Sequence, residues 1–458
     1  MDKRWRAISG ILGLALASML VLAGPGFTAS FQVLDQGDPE RGRIALTTQS
    51  FLPAAWKREA FELVRERLGP ETPDPATNPN AYLAAFQDRY GLHPAPYPNN
   101  GLPMGLRLAP GKKDAPTGLH IDCLVCHGGS IGGQSYVGLG NTRLDLDPLL
   151  KDLAVANGER PPVALFTLNS TRGTNNAGMI DVALLTLRNP DLSFRTFPLL
   201  TGANIPELDT PAWWLLKKKQ SKYYDGRTPA HAVRSNMQFL LGDLTRAQFE
   251  ALEPTFVDID AYLRSLSPPP YPFPINKALA RTGEAVFTEN CSRCHGTYGS
   301  ASTYPNKIVP LDVIKTDPAR AKGLSDKFVA HYNASWFGEL DKVDETCQGY
   351  QAPPLDGVWA TAPYLHNGSV PTLELVLNSK ARPKKFTRPS STEFTQYDPV
   401  NVGWQFEAVE TVDRTLSPRE KKQIVDTSRF GLGSQGHTFG DSLSDAERRA
   451  LIEYLKTL

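Results

Sequence analysis

Cysteine and histidine recur in one arrangement, Cys-x-x-Cys-His, first at Cys123, Cys126 and His127 and again at Cys291, Cys294 and His295. Two thiols one helical turn apart can each close a thioether on a vinyl group of the same porphyrin, and the adjoining histidine then reaches the iron. Each copy is therefore the attachment pattern of a c-type haem, with His127 and His295 as proximal ligands. A disulfide, half a zinc site or a thioredoxin-like redox pair would use the cysteines but not the histidine that follows both pairs. No βαβ pattern surrounds them either. The chain has five cysteines; the remaining one, Cys347, reads as a small buried hydrophobe rather than a reactive thiol. Two covalently bound haem c groups are expected.

What such irons do depends on their sixth position, because a filled site favours electron transfer and an open one admits a small molecule. Beyond the two proximal residues the histidines are His93, His120, His231, His331, His366 and His437. Past the first 30 residues the methionines are Met104, Met179 and Met237, so a haem at Cys291 has no methionine in its own half of the chain. His437 is the favoured second ligand there. Its loop, Gly431 to Gly440, holds four glycines that let a side chain approach a porphyrin closely, with His366 and His331 as alternatives. From Gly128 through Gly178 there is neither histidine nor methionine. The first haem is expected to be open or weakly ligated, with His231, Met179 or Met237 as alternatives. Glycines 128, 129, 132, 133, 138 and 140 permit close backbone approach there and could cradle propionates with main-chain NH groups.

The elements that must hold these groups read as helices and long loops. Ser267-Pro268-Pro269-Pro270-Tyr271-Pro272-Phe273-Pro274 cannot be helical and predicts a stiff linker. Before it, Ile259 to Leu266 places apolar residues at the same helical positions as the final segment, Leu451 to Leu458. Thr245 with Gln248 and Ser444 with Glu447 fit capping boxes for these two helices, although Pro254 should kink or split the first. Leu279, Gly283, Val286 and Phe287 share one face of a helix entering Cys291, and Gly283 would let the terminal helix with Tyr454 approach. Phe61, Leu63, Val64 and Leu68 suggest short helices in an N-terminal extension. The expected fold is mainly α: two cytochrome c-like haem domains with long loops and an N-terminal extension. The boundaries are 1–30 for a signal peptide, 31–266 for the first domain with its extension, 267–275 for the linker and 276–458 for the second domain.

Lys3, Arg4 and Arg6 followed by the apolar run Ala7 to Ala23 form an export signal, with cleavage after Ala23 or Ser30. An uncleaved anchor is the alternative, and the reading places the protein in the periplasm. Loss of residues 1–30 removes Lys3, Arg4, Arg6 and Asp2, which moves the formal charge from +1 to about −1. Near-neutrality argues against nucleic acid or an anionic membrane as partner. A calcium ion between the domains is left open, with no residue assigned to it.

Tyr90-Gly91-Leu92 and Gly101-Leu102-Pro103-Met104-Gly105-Leu106 precede the first haem motif, and Pro353 to Leu373, containing Ala362-Pro363-Tyr364-Leu365-His366-Asn367-Gly368-Ser369, follows the second. Together these segments resemble the dihaem cytochrome c peroxidase superfamily, and within it the rubber oxygenase-like branch. The resemblance implies that the N-terminal haem handles peroxide or dioxygen while the C-terminal haem relays electrons. It also implies His437 as distal ligand of the second haem and leaves His366 structural. Two departures from the standard peroxidases, Gly138-Leu139-Gly140-Asn141 in place of a displaceable histidine and Lys380 near a methionine position, fit the oxygenase-like branch better. The chain is much shorter than true rubber oxygenases, so no polymer substrate is implied.

The expected function is a periplasmic dihaem c-type oxidoreductase acting on peroxide, dioxygen or a small-molecule substrate and served by a periplasmic redox partner protein. The alternative is a non-catalytic electron carrier with both irons six-coordinate. Trp213 and Trp214 are the candidate relay between haems, against the ordinary role of aromatics as core. Lys217-Lys218-Lys219 is either a docking patch for an acidic donor or a solvated loop.

Overall fold

The structure is a computed structural model, described here for residues 37–113, 115–161, 166–242 and 244–458. The expected signal segment, residues 1–30, lies outside the described residues. In chain order the longer helices are α1 (Pro39–Thr48), α2 (Pro79–Tyr90), α3 (Leu146–Ala156), α4 (Ala177–Thr186), α5 (Arg246–Ser265), α6 (Lys277–Asn290), α7 (Asp326–Ala334) and α8 (Asp445–Leu455). None of the described helices is long and apolar enough to cross a membrane.

Local chemistry explains where these helices begin. The Asp38 carboxylate accepts the Glu40 and Arg41 amides with Pro39 at the first turn of α1, and Asn276 accepts the Leu279 amide at the start of α6. Both capping boxes read from the sequence are present, Thr245 with Gln248 on α5 and Ser444 with Glu447 on α8. Helix α5 runs unbroken through Pro254 rather than splitting there; its cap and its long packing against α1 sustain the turn that lacks one amide.

Two helix crossings organise the core, and glycine makes both. A Cβ on Gly283 of α6 would lie 1.9 Å from the Ala450 carbonyl oxygen of α8, and one on Gly42 of α1 would lie 2.0 Å from the Asp258 oxygen of α5. The contacts are equivalent in register, because Asp258-Ile259 and Ala450-Leu451 occupy matching places in the two segments that share a pattern. Helix α1 thus plays toward α5 the part that α6 plays toward α8.

The mainly α expectation is overturned. Helix makes up 38% of the structure and strand 12%, in several small sheets, so the fold is an α/β mix. Gly118–Ile121 pairs antiparallel with Trp56–Lys57 on one side and Leu106–Ala109 on the other. Lys385–Thr387 likewise pairs with Glu407–Ala408 and Ile424–Asp426. The physical reason is backbone satisfaction: long loops rich in the chain's 37 glycines and 38 prolines still bury amides, and short antiparallel ladders pair them. Strands of two to four residues are too short to display alternation.

Apolar packing joins the stretches on either side of residues 267–275. Residues 37–458 form one compact unit. Residues 267–275 carry neither helix nor strand, yet one apolar cluster joins Leu139 and Trp214 to Phe287, Trp359 and Leu451. A second joins Leu46 and Phe256 to Phe328 and Trp336.

Candidate functional site

His295 closes the short helix Ser292–His295, directly after α6, and its Nδ1 donates to the Pro353 carbonyl at 2.8 Å. That bond fixes the tautomer and leaves Nε2 as the free lone pair, the orientation a metal-binding histidine takes. Opposite stands His437. The two rings are 6.3 Å apart between centroids, with 55° between their planes. Two imidazole nitrogens bound to one iron at about 2 Å each put the ring centres about 6 Å apart. The pair fits an axial bis-histidine haem. Burial, then the neighbouring His295 and the Arg382 charge, hold His437 down at about 4, so the ring is neutral as ligation requires.

The loop that carries His437 is held from several directions. Gly436 and His437 both adopt positive φ, 75° and 47°, and a Cβ on Gly436 would lie 2.2 Å from the Lys315 carbonyl carbon. The His437 amide donates to the Ile314 carbonyl at 2.8 Å. Asn367, fully buried, donates to the Gly431 and Gly433 carbonyls at 2.9 and 3.0 Å, and Ser369 to Gly433 at 3.2 Å. Arg382 donates to the carbonyls of Ser434 and Gly436 at 2.6 and 2.7 Å and to His437 at 3.2 Å, while anchored to Leu375 and Val376 at 2.8 and 3.0 Å.

Arg382 and Asn367 were not singled out from the sequence as holding a ligand. The dense run of small polar residues around His366 was the available signal for Asn367; a lone arginine has none. Hydrogen bonds from a charged donor are worth about 1.5–3 kcal/mol each. Arg382→Gln is therefore expected to cost about 3 kcal/mol in urea denaturation and to give the second haem a partial high-spin spectrum; an unchanged spectrum would remove Arg382 from this role.

The first motif is built differently. His127 stacks on Trp213, with centroids 4.3 Å apart and 17° between planes. Its Nδ1 faces the Pro211 carbonyl without closing a hydrogen bond of normal geometry, and burial lowers its pKa to about 3. Gly138, at φ 90°, ties the two rings together: its amide donates to the His127 carbonyl and its carbonyl accepts the Trp213 amide, each at 2.8 Å. The glycine-rich stretch after His127 forms a β-hairpin, Gly128–Ile131 with Gln134–Val137, so several of its amides pair with backbone rather than lying open to propionates.

Among the described residues four of the remaining histidines are hydrogen-bonded elsewhere, and the fifth, His366, is held by ring stacking while its buried Nε2 has no hydrogen-bond partner. His231 is 70% exposed and meets Asp341 at 2.9 Å. His93 bonds Asn141 at 3.1 Å, His331 the Leu185 carbonyl at 3.2 Å and His120 the Ile121 carbonyl at 2.5 Å. His366 stacks on Tyr350 with centroids 4.4 Å apart. Of the methionines considered as ligands for the first motif, Met179 accepts the Ile205 amide on its sulfur at 3.2 Å, and Met237 is fully buried in an apolar cluster.

His93 and His366 are both buried, and burial lowers each to about 3. The unfolded chain takes up these protons near pH 6.5 while the folded chain refuses them, so each histidine contributes stability above that pH which is lost as pH falls toward 3. Stability is expected to drop between pH 6.5 and 4 by roughly 1.4 kcal/mol per unit for each such histidine, and to recover in part in His93→Gln, read from denaturation midpoints.

Trp213 and Trp214 span the two motifs. Trp214 is buried, and its Nε1 donates at 2.9 Å to the carbonyl of Asp356, three residues beyond the Pro353 carbonyl that holds His295. Lys218, within the lysine run, pairs with the Asp356 carboxylate at 2.7 Å and lies over Tyr298, so it is not a free docking charge. Cys347 is half-buried and makes no disulfide, and neither do the four motif cysteines. Among the described residues no group of three or more His, Cys, Asp or Glu side chains is arranged to hold a metal ion.

Residues 349–387 match the family model described as RoxA-like, cytochrome c-like. The matched segment is similar to a cytochrome c-like domain. It contains Pro353, which orients His295, and Asn367, Ser369 and Arg382, which hold the His437 loop. Two proteins of Sinorhizobium fredii are similar over part of the chain. One, the uncharacterized protein y4iM, is 32% identical over 240 residues, covering 43% of this chain and 52% of its own length. The other, the uncharacterized protein y4iJ, is 28% identical over 261 residues, covering 42% of this chain and 41% of its own length. The chain spans about half the length of the curated relatives it matches.

Proposed function

We propose that the protein is a periplasmic dihaem c-type oxidoreductase of the rubber oxygenase-like kind. One haem is attached at Cys123 and Cys126 with His127, the other at Cys291 and Cys294 with His295. The observation that carries this reading is the asymmetry between the two proximal histidines. His295 faces a second imidazole at the span of a bis-histidine iron, whereas the ring beside His127 is that of Trp213. Iron with both axial positions filled transfers electrons, and iron with one position free can take peroxide or dioxygen.

The chain's own residues divide the labour accordingly. The Pro353 carbonyl holds the His295 proton at Nδ1, Arg382 and Asn367 keep His437 in place, and the pair stays neutral because burial excludes water. Trp213 and Trp214 provide the connection. Ring stacking links His127 to Trp213, one peptide links Trp213 to Trp214, and a hydrogen bond passes to the Asp356 carbonyl and so along the chain to Pro353 and His295.

The test is haem content followed by peroxide mixing. Protein recovered from the periplasm should yield two haem c per chain, and stopped-flow addition of hydrogen peroxide should perturb one Soret component before the other. One haem per chain, or no response to peroxide or dioxygen, would contradict the proposal; two inert six-coordinate haems would instead make it an electron carrier.

A further inference from the structure

Helix α4 brings a carboxyl group to an unusual place. Asn176 caps the helix by accepting the Met179 amide, and the Met179 sulfur is itself bonded to the Ile205 amide, which fixes how the helix sits. Asp181 lies one half-turn on, and its Oδ1 is buried with no hydrogen-bond partner. Helix α4 packs against α7, which carries Tyr332, and Val182 and Leu185 of α4 share one apolar cluster with Tyr332, against which Cys123 also packs. The Tyr332 hydroxyl is also buried without a partner, and the Tyr223 hydroxyl reaches only the Ser235 carbonyl at 3.5 Å.

Tyr223 adds a second kind of signal. Its backbone holds φ at 64°, a region costly for an aromatic residue and kept mainly where function requires it. The side chain is 37% accessible, so its hydroxyl stays within reach of a small polar molecule. Two buried polar groups without partners, Asp181 Oδ1 and the Tyr332 hydroxyl, in the cluster against which Cys123 packs, call for a polar occupant.

We propose that Asp181, flanked by Tyr223 and Tyr332, lines the binding cavity of the first haem for a peroxide- or dioxygen-sized ligand and hands that ligand a proton. This rests on the reading of the first haem as open. Burial pushes the Asp181 carboxyl well above the usual carboxylate range, so it is a neutral O–H donor. The proton leaves the carboxyl for an oxygen of the ligand, the carboxylate remains, the phenols can donate to it, and a proton from water restores the acid.

The experiment uses the full haem-loaded chain and Asp181→Leu, which removes the proton donor without opening a large void. Three readouts are compared with wild type: the thermal midpoint, the infrared stretch of carbon monoxide on the reduced protein, and the rate of reaction with hydrogen peroxide. The variant should melt no lower than wild type, shift the stretch to higher wavenumber through loss of a donor, and react about 100-fold more slowly. A loaded variant whose stretch and peroxide rate match wild type overturns the inference alone. A wild type that binds no carbon monoxide overturns the open-haem reading and this inference with it. Should Asp181→Leu fail to fold, Tyr332→Phe, which removes one oxygen atom, carries the same stretch measurement with the same two outcomes.

Discussion

His437→Ala is expected to convert the haem at Cys291 and Cys294 from six-coordinate low-spin to five-coordinate, with complete loss of its low-spin visible spectrum. The effect should be large because nothing close by can replace the lost ring. Among the described residues His437 is the imidazole that faces His295, at 6.3 Å between centroids, and His366 and His331 are held by Tyr350 and the Leu185 carbonyl. Removing the side chain also frees a site of imidazole shape. Added imidazole should therefore restore the low-spin bands in the variant, and carbon monoxide uptake should rise by one equivalent per chain. A low-spin spectrum that survives the substitution would sink the assignment.

The second large effect concerns the scaffold. Gly283→Ala places a methyl group 1.9 Å from the Ala450 carbonyl oxygen and 2.5 Å from its carbon, which are backbone atoms that cannot rotate away. Helices α6 and α8 must then separate, and α6 leads directly into Cys291. Overpacking of a tight core costs about 1–3 kcal/mol and more where backbone must move. A loss of about 3 kcal/mol is expected, read from the urea midpoint at constant slope, together with reduced haem incorporation at the second motif. Gly242→Ala is the control: a Cβ there meets nothing within 4 Å, and its stability should match wild type. Equal midpoints for Gly283→Ala and Gly242→Ala would show that the crossing tolerates a side chain.

How far the sequence could be read depended on whether a feature was local. The α8 helix, its capping box and the role of Gly283 were legible because a periodic apolar face and a Ser-x-x-Glu start are short-range signals. The matching pattern at Ile259 located α5. Its partner α1 was hidden: its apolar run, Ile44, Ala45 and Leu46, is only three residues long and follows the charged Glu40, Arg41 and Arg43, so it read as part of an irregular extension. The strand content was missed for a related reason, since ladders of two to four residues are specified by tertiary pairing and not by alternation.

The candidate site divides in the same way. His437 was singled out for its glycine-rich loop, and its ring stands 6.3 Å from that of His295. Arg382, Asn367 and the Pro353 carbonyl were not, because they act through contacts spanning 52 to 66 residues of chain. Asp181 carries no sequence signature at all; only the lack of a partner in the folded protein draws attention to it.

The central claim is that one iron is closed by two histidines while the other is open. Titration of the fully reduced protein with carbon monoxide, followed by visible absorption, tests it most directly, because carbon monoxide takes vacant iron and leaves firm bis-histidine haems alone. The account predicts one molecule bound per chain. Uptake of none would make both irons six-coordinate and the protein an electron carrier, and uptake of two would contradict the His295 and His437 pairing.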